Sequence, residues 1–246
     1  MSGSIILVSA AFAFTAISAF IAFRYWWLHR NIPAVRQPRN SLVTGRQIFL
    51  QQLILLAVAV LFGVLGGFSL YDLGASERFH PVTAFGIGFA AYFVVLVIIE
   101  AAAAVFGVRE RLHDLSFETM RLLWPRDPQQ KILAVAGVCL INPFTEELIY
   151  RGVLVDHFGH LIGNIWLAAS IGFVLSIAAH MYQGSWSVPF QMMFHGAAVL
   201  LLLSPAGLIA CFGFHFAGDL VPVVMMRRSM IEWRERRRRE MRRVSN

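Results

Sequence analysis

The chain has 246 residues, of which 58% are hydrophobic and 14% are charged. Soluble domains carry about 25% charged residues, so this composition excludes an ordinary soluble domain and is typical of a protein that lies mainly in lipid. The net charge is +7, and almost all of the basic residues are arginines. Because they flank apolar segments, lipid headgroups are favoured over nucleic acid as their partners. The simplest organisation is a single transmembrane domain over residues 1–246.

Seven apolar stretches approach the length of about 20 residues that a transmembrane helix needs. They are residues 4–27, 48–71, 82–107, 132–155, 161–181, 187–203 and 206–226. The sequence therefore predicts an all-α polytopic membrane protein with about seven transmembrane helices. The fourth stretch contains Asn142-Pro143, where proline is expected to kink the helix and to favour a wet pocket beside the residues that follow.

The loop charges predict the orientation of these spans. The first and third loops and the tail at 227–246 are rich in arginine, whereas residues 72–80 contain one arginine and two carboxylates. By the positive-inside rule, the two basic loops and the tail are cytoplasmic, and the N-terminus lies outside. A small compact chain of this kind favours a prokaryotic plasma membrane. Residues 109–124 predict an amphipathic interfacial helix, and the tail is either a basic surface helix or a solvated arginine run.

An acidic pair stands in the fourth apolar stretch, in the segment Glu146-Glu147-Leu148-Ile149-Tyr150-Arg151. A charge in hydrocarbon costs about 2.5–3.5 kcal/mol on insertion scales, so ionisable residues there are usually functional. Glu147 and Arg151 are four residues apart and can pair on one helix face, whereas Glu146 is rotated by about 100°. We expect Arg151 to hold Glu147 while Glu146 faces a cavity, although a neutralised polar cluster without chemistry would have the same pattern.

Three more polar side chains follow in later apolar stretches. His180 lies near the end of the fifth stretch, where an interfacial histidine is unremarkable by itself. His215 and Asp219 repeat the four-residue spacing on the seventh, which predicts a hydrogen bond that orients the imidazole. The coincidence of acids and histidines on three spans indicates one buried reaction centre.

Two ionisable residues in the apolar stretches stand apart from this pattern. Glu100 follows a long apolar run and is interpreted as structural, either protonated or packed near Arg24. His195 in the sixth stretch can line the pocket, but its spacing links it to no other polar residue.

These residues resemble the CAAX-protease and bacteriocin-processing family of intramembrane glutamic proteases, also called the abortive-infection family. Glu146-Glu147-x-x-x-Arg151 matches its EExxxR motif, and His180 matches the histidine of FxxxH with Ser176 in place of phenylalanine. The third motif is HxxxN or, less often, HxxxD, and it is matched by His215 and Asp219. The resemblance covers residues 131–226, which would form the catalytic core spans.

The resemblance implies roles for these side chains. Glu146, together with His180, would activate a water as general base, and His215 with residue 219 would stabilise the oxyanion. Because an ionised carboxylate only accepts hydrogen bonds, Asp219 must either be protonated by burial or orient His215. We prefer the second role for Asp219.

The same resemblance gives Glu147 and Arg151 an orienting role. Zinc is the rival chemistry, because two glutamates and two histidines could bind it. No HExxH spacing is present, and Arg151 would compete with a cation, so we expect neither a metal nor another cofactor. Cys139 and Cys211 are expected to be small core residues.

The predicted activity is that of an intramembrane endopeptidase acting on a peptide or protein, possibly lipid-modified, in the lipid bilayer. Two alternatives stay open. One is a non-catalytic membrane protein that binds a peptide, for example in bacteriocin immunity, and the other is a proton-coupled transporter, because buried Glu and His chains also serve as proton relays. The sequence leaves the oligomeric state open.

Overall fold

The structure is a computed structural model that describes residues 4–16, 20, 45–65, 69, 74–75, 78–110, 127–181 and 187–224. Seven main helices account for most of these residues, and none of the described residues forms a strand beyond one isolated bridge. In chain order, helices α1 to α7 are Ser4–Ala16, Gly45–Leu65, Pro81–Val105, Pro128–Ile162, Ile165–Ala179, Val188–Leu202 and Gly207–Val224. The all-α class predicted from the sequence is confirmed.

Three of these helices, α3, α4 and α7, are long and apolar enough to cross a bilayer. The apolar helices α1, α5 and α6 are shorter, as is the apolar part of α2, Phe49–Leu61. The chain is therefore an all-α membrane protein, while the number of seven spans stays a prediction. The predicted interfacial helix over 109–124, apart from its first two residues, lies outside the described residues, as do the tail at 227–246 and Arg24.

Helix α4 carries the acidic pair. It begins with Pro128 at its first turn, where the Asp127 side chain accepts a hydrogen bond from the Gln130 N–H at 2.9 Å, and Gly163 in the left-handed conformation ends it. Two π-helical segments interrupt its α-helical geometry, Ala136–Ile141 and Leu148–His157.

The predicted break at Asn142-Pro143 takes the form of a widened turn inside a continuous helix. Directly before the proline, the Asn142 N–H bonds to the carbonyl of Gly137, five residues back. A π turn of this kind makes room for a proline ring, which would clash with a carbonyl in a regular α-helix.

Helix α4 is also the central helix of the bundle. All eight residues from Leu148 to Val155 are buried, and the six apolar ones other than Gly152 pack in one core with residues of α1, α5, α6 and α7. A helix that is buried all round needs neighbours on every side. The acidic pair, near the middle of α4, is therefore inside the protein.

Contacts at the ends of the helices indicate which loops lie on the same side of the bundle. The Arg46 N–H at the start of α2 donates to Oε1 of Gln130 at the start of α4, at 2.9 Å. Elsewhere, the carbonyl of Gly74 accepts from the N–H of Leu208 at 2.9 Å, at the start of α7. Each contact joins two segments that the seven-span topology assigns to the same side of the membrane, whereas the direction of insertion stays a prediction.

Helices α3 and α7 approach each other through glycines. A Cβ atom on Gly88 would overlap the Ala210 carbonyl, and one on Gly213 would overlap the Phe85 carbonyl. Small residues let membrane helices approach so closely that their backbones touch. Around this crossing, Tyr92 of α3 and Phe194 of α6 pack with residues of α7 in a second core cluster, which holds α7 in position.

The glycine crossing predicts a difference between two glycines of α3. We expect Gly88→Ala to lower the thermal unfolding midpoint in detergent, because overpacking costs about 1–3 kcal/mol. Gly86→Ala is the control, since a Cβ there meets nothing within 4 Å, and we expect it to be neutral or slightly stabilising. Equal midpoints for the two variants would contradict the close crossing.

Candidate active site

Four helices bring the ionisable residues of the apolar segments into one cluster. Helix α4 contributes an acidic pair and an arginine, the C-terminal end of α5 a histidine, α6 a histidine, and α7 a histidine and an aspartate. In this order the residues are Glu146, Glu147, Arg151, His180, His195, His215 and Asp219. All six residues singled out from the motifs therefore lie together, and His195 joins them.

One part of the cluster is closed to solvent. Glu147 and Arg151 are buried and form the ion pair that their spacing predicts, with 3.1 Å between Oε2 and Nε. Nδ1–H of His215 donates to Oε1 of the same glutamate at 2.7 Å. On the other side, Nη2 of Arg151 donates to Nδ1 of His195 at 2.7 Å, and both histidines are buried. We call Glu147, Arg151 and His195 the buried layer.

The other part of the cluster is partly accessible. The side chains of Glu146, His180 and Asp219, which we call the open layer, are 18%, 13% and 23% exposed. Oε2 of Glu146 lies 3.7 Å from Nε2 of His180 and 3.8 Å from Nε2 of His215. These separations are too long for direct hydrogen bonds, and one water or substrate oxygen can bridge each of them.

His215 belongs to both layers. Its Nδ1 is held by Glu147, so its Nε2 is directed toward Glu146 and lies 3.7 Å from Oδ2 of Asp219. We predicted that a hydrogen bond to Asp219 orients His215. That prediction is wrong, because the orienting hydrogen bond is made to Glu147. Helical spacing reveals only partners on the same helix, whereas Glu147 lies on another helix.

The comparisons with known proteins give one family match, and it covers the helices that carry the cluster. Residues 128–226 match the family model described as "Type II CAAX prenyl endopeptidase Rce1-like". This segment of the chain is similar to that family. The match contains all seven residues of the cluster and nearly coincides with the predicted core at 131–226, which confirms the family resemblance. It identifies a peptidase at the level of the family. No curated protein and no solved structure matches the chain.

Ser176 stands where the CAAX endopeptidase motif has phenylalanine. The contact that positions His180 is its Nδ1–H, which donates to the backbone carbonyl of Ser176 at 2.8 Å. Any residue type supplies that carbonyl. The buried hydroxyl of Ser176 donates to the carbonyl of Gly172 at 2.7 Å and is satisfied within its own helix. The departure from the motif therefore leaves the contact that holds His180 intact.

His195 is the member of the cluster that the sequence reasoning left unassigned. Its partner Arg151 is 44 residues away, and its ring centroid lies 4.9 Å from that of His180. As an ionisable side chain in an apolar span, it was expected to be able to line the pocket, but its spacing indicated no partner, because Arg151 lies on another helix.

Glu100 lies outside the cluster, at the end of α3. Its Oε2 is 2.8 Å from Nε of Arg109, and both side chains are partly exposed. The partner found here is thus Arg109, which the sequence reasoning did not consider. The contact supports the interpretation of Glu100 as a structural residue.

Within the ranges that the structure describes, no group of three or more His, Cys, Asp or Glu side chains has an arrangement that could hold a metal ion. Arg151 and His215 already engage the two oxygens of Glu147. Cys139 and Cys211 are buried free thiols, as expected of core residues.

The two ion pairs predict a contrast in stability. We expect Glu147→Gln to lower the free energy of unfolding by about 3–5 kcal/mol, because breaking a buried pair leaves Arg151 uncompensated. Glu100→Gln breaks the ion pair with Arg109, in which the side chains of Glu100 and Arg109 are 31% and 59% exposed. We expect it to lower the free energy of unfolding by no more than about 1 kcal/mol. Unfolding of both variants in the same detergent measures the difference. A Glu147→Gln protein as stable as Glu100→Gln would argue against a charged pair in the buried layer.

Proposed function

We propose that this protein is an intramembrane endopeptidase that hydrolyses a peptide bond of a membrane-associated peptide or protein through a water activated by Glu146. The observation that carries the proposal is the position of the Glu146 carboxylate. The side chain is 18% exposed, and its Oε2, which is itself buried and has no hydrogen-bond partner among the described residues, lies 3.7 and 3.8 Å from the Nε2 atoms of two histidines. The match of residues 128–226 to a peptidase family supports the same class of reaction.

The first step is activation of the water. Because Nδ1–H of His180 donates to a carbonyl, the neutral ring has its lone pair on Nε2, facing Glu146. A water can then donate one hydrogen to Oε2 of Glu146 and the other to Nε2 of His180. As the water oxygen attacks the peptide carbonyl carbon, its proton passes to Glu146, which returns it to the amine nitrogen when the C–N bond breaks.

The second requirement is stabilisation of the negative oxygen that forms on the attacked carbonyl. Nδ1–H of His215 is bonded to Glu147, so His215 can donate through Nε2 only as the doubly protonated imidazolium. Glu146 and Asp219, at 3.8 and 3.7 Å from Nε2, provide counter-charges for that cation. A donor held in place before the reaction is effective because it needs no reorganisation.

We further propose that the substrate is a peptide or protein segment, possibly lipid-modified, which enters from the bilayer or from the cytoplasmic interface. His180 lies at the end of α5, next to the connection that the seven-span topology assigns to the cytoplasm. This placement supports access from that side, in a prokaryotic plasma membrane with the N-terminus outside and the C-terminus in the cytoplasm.

The proposal is tested by reconstituting the protein in liposomes and measuring its cleavage of fluorogenic peptides, both unmodified and prenylated. We expect Glu146→Gln and His180→Ala to lower kcat about 10²–10⁴-fold, the range of general acid–base catalysis. Asp156→Asn is the matched control, because Asp156 is a carboxylate of the same helix whose ion pair, with His160, lies outside the cluster.

Full cleavage by Glu146→Gln would refute the mechanism. Peptide binding without cleavage by the wild type would support a non-catalytic binding protein, and proton-coupled flux of a solute would support a transporter.

A chelator separates this mechanism from zinc chemistry. We expect cleavage to persist in a strong chelator, because both oxygens of Glu147 are engaged by Arg151 and His215. Loss of cleavage on chelation and its return on addition of zinc would establish the metal alternative.

A further inference from the structure

His195 has a defined hydrogen-bonding state. A guanidinium has donors only, so Nδ1 of His195 must accept from Nη2 of Arg151, at 2.7 Å. The proton of the neutral ring is therefore on Nε2, which has no hydrogen-bond partner among the described residues. The ring is fully buried on α6. Its hydrogen bond to the polar cluster is made through Nδ1, and its ring packs against that of His180.

This contact restricts how Arg151 binds Glu147. Nε and Nη2 share one edge of the guanidinium, and this edge often binds both oxygens of one carboxylate. Here Nε lies 3.1 Å from Oε2 of Glu147, while Nη2 is taken by His195. Oε1 of Glu147 is consequently left to accept from Nδ1–H of His215 at 2.7 Å.

We propose that His195 is a positioning residue of the site, which engages Nη2 of Arg151 so that Oε1 of Glu147 holds His215. The inference rests on the proposed peptidase function for its effect on catalysis. The chain of contacts His195–Arg151–Glu147–His215 runs from α6 through α4 to α7, with separations of 2.7, 3.1 and 2.7 Å. In this role His195 acts on His215 through the chain, while its ring also packs against that of His180, with 4.9 Å between the centroids.

The packing of His195 must be separated from its hydrogen bond. The Phe194 ring lies 5.4 Å from His195 and 5.4 Å from His215, edge-on to both, so a smaller side chain at 195 could disturb His215 by packing alone. His195→Leu removes the acceptor and keeps a side chain of appreciable size. His195→Asn restores an acceptor oxygen near the place of Nδ1. Leu202→Ala, at a buried apolar position two turns along α6, is the control for a packing defect.

The kinetic test uses full-length protein in liposomes. We expect His195→Leu to lower kcat about 100-fold, as small misplacements of catalytic groups do, with KM changed by less than about twofold because the substrate contacts remain. His195→Asn should recover most of kcat, and Leu202→Ala should resemble the wild type. A His195→Asn protein as impaired as His195→Leu, or an equal loss in Leu202→Ala, would overturn the assignment.

A second readout does not depend on activity. In ¹⁵N-histidine-labelled protein, the Nδ1–H of His215 bonded to a carboxylate should give a strongly downfield proton signal, assigned by its absence in His215→Gln. The signal should shift or disappear in His195→Leu and remain in His195→Asn and Leu202→Ala. An unchanged signal in folded His195→Leu would refute the positioning role. If the wild type cleaves no peptide, the proposed function fails while this measurement still decides the role of His195.

Discussion

The carboxylate of Glu147 is the group on which the arrangement of the site depends. Its two oxygens bind Arg151 of its own helix and His215 of α7, and Arg151 in turn binds His195 of α6. Uncompensated charges are costly at membrane depth, so loss of any one contact would leave the remaining groups poorly paired. The polar network therefore constrains the relative positions of α4, α6 and α7 more directionally than the apolar packing between them does.

The division into two layers follows from the geometry of one helix. Adjacent residues are rotated by about 100°, so one glutamate of the pair points into the protein while the other reaches the partly accessible side. Glu147 can then hold His215, and Glu146 is free of direct hydrogen bonds at Oε2. The proposed hydrolysis by side chains alone would need such a division, because reacting groups must be preorganised by others that stay out of the reaction.

Hydropathy predicted the helices well, and motif spacing predicted which residues would meet. The positions of α3 and α7 follow from their apolar lengths, and the contact of Glu147 with Arg151 follows from helical periodicity. The contacts between helices could not be predicted in this way, since periodicity carries no information about a partner on another helix. For this reason Asp219 was predicted to be the hydrogen-bond acceptor of His215, and no partner was predicted for His195.

The π-helical segments explain why the acidic pair requires a central helix. The short α-helical piece Asn142–Glu147 lies between Ala136–Ile141 and Leu148–His157, both in π geometry. Widened turns strain the regular backbone hydrogen bonding, and departures from it at membrane depth occur only where protein or a polar cavity surrounds the chain. Burial of every residue from Leu148 to Val155 meets that condition for the second π-helical segment. Around the proline, by contrast, Leu140 and Phe144 are exposed. The proposed chemistry at Glu146 therefore depends on the packing of residues 148–155, which keeps this part of α4 inside the protein.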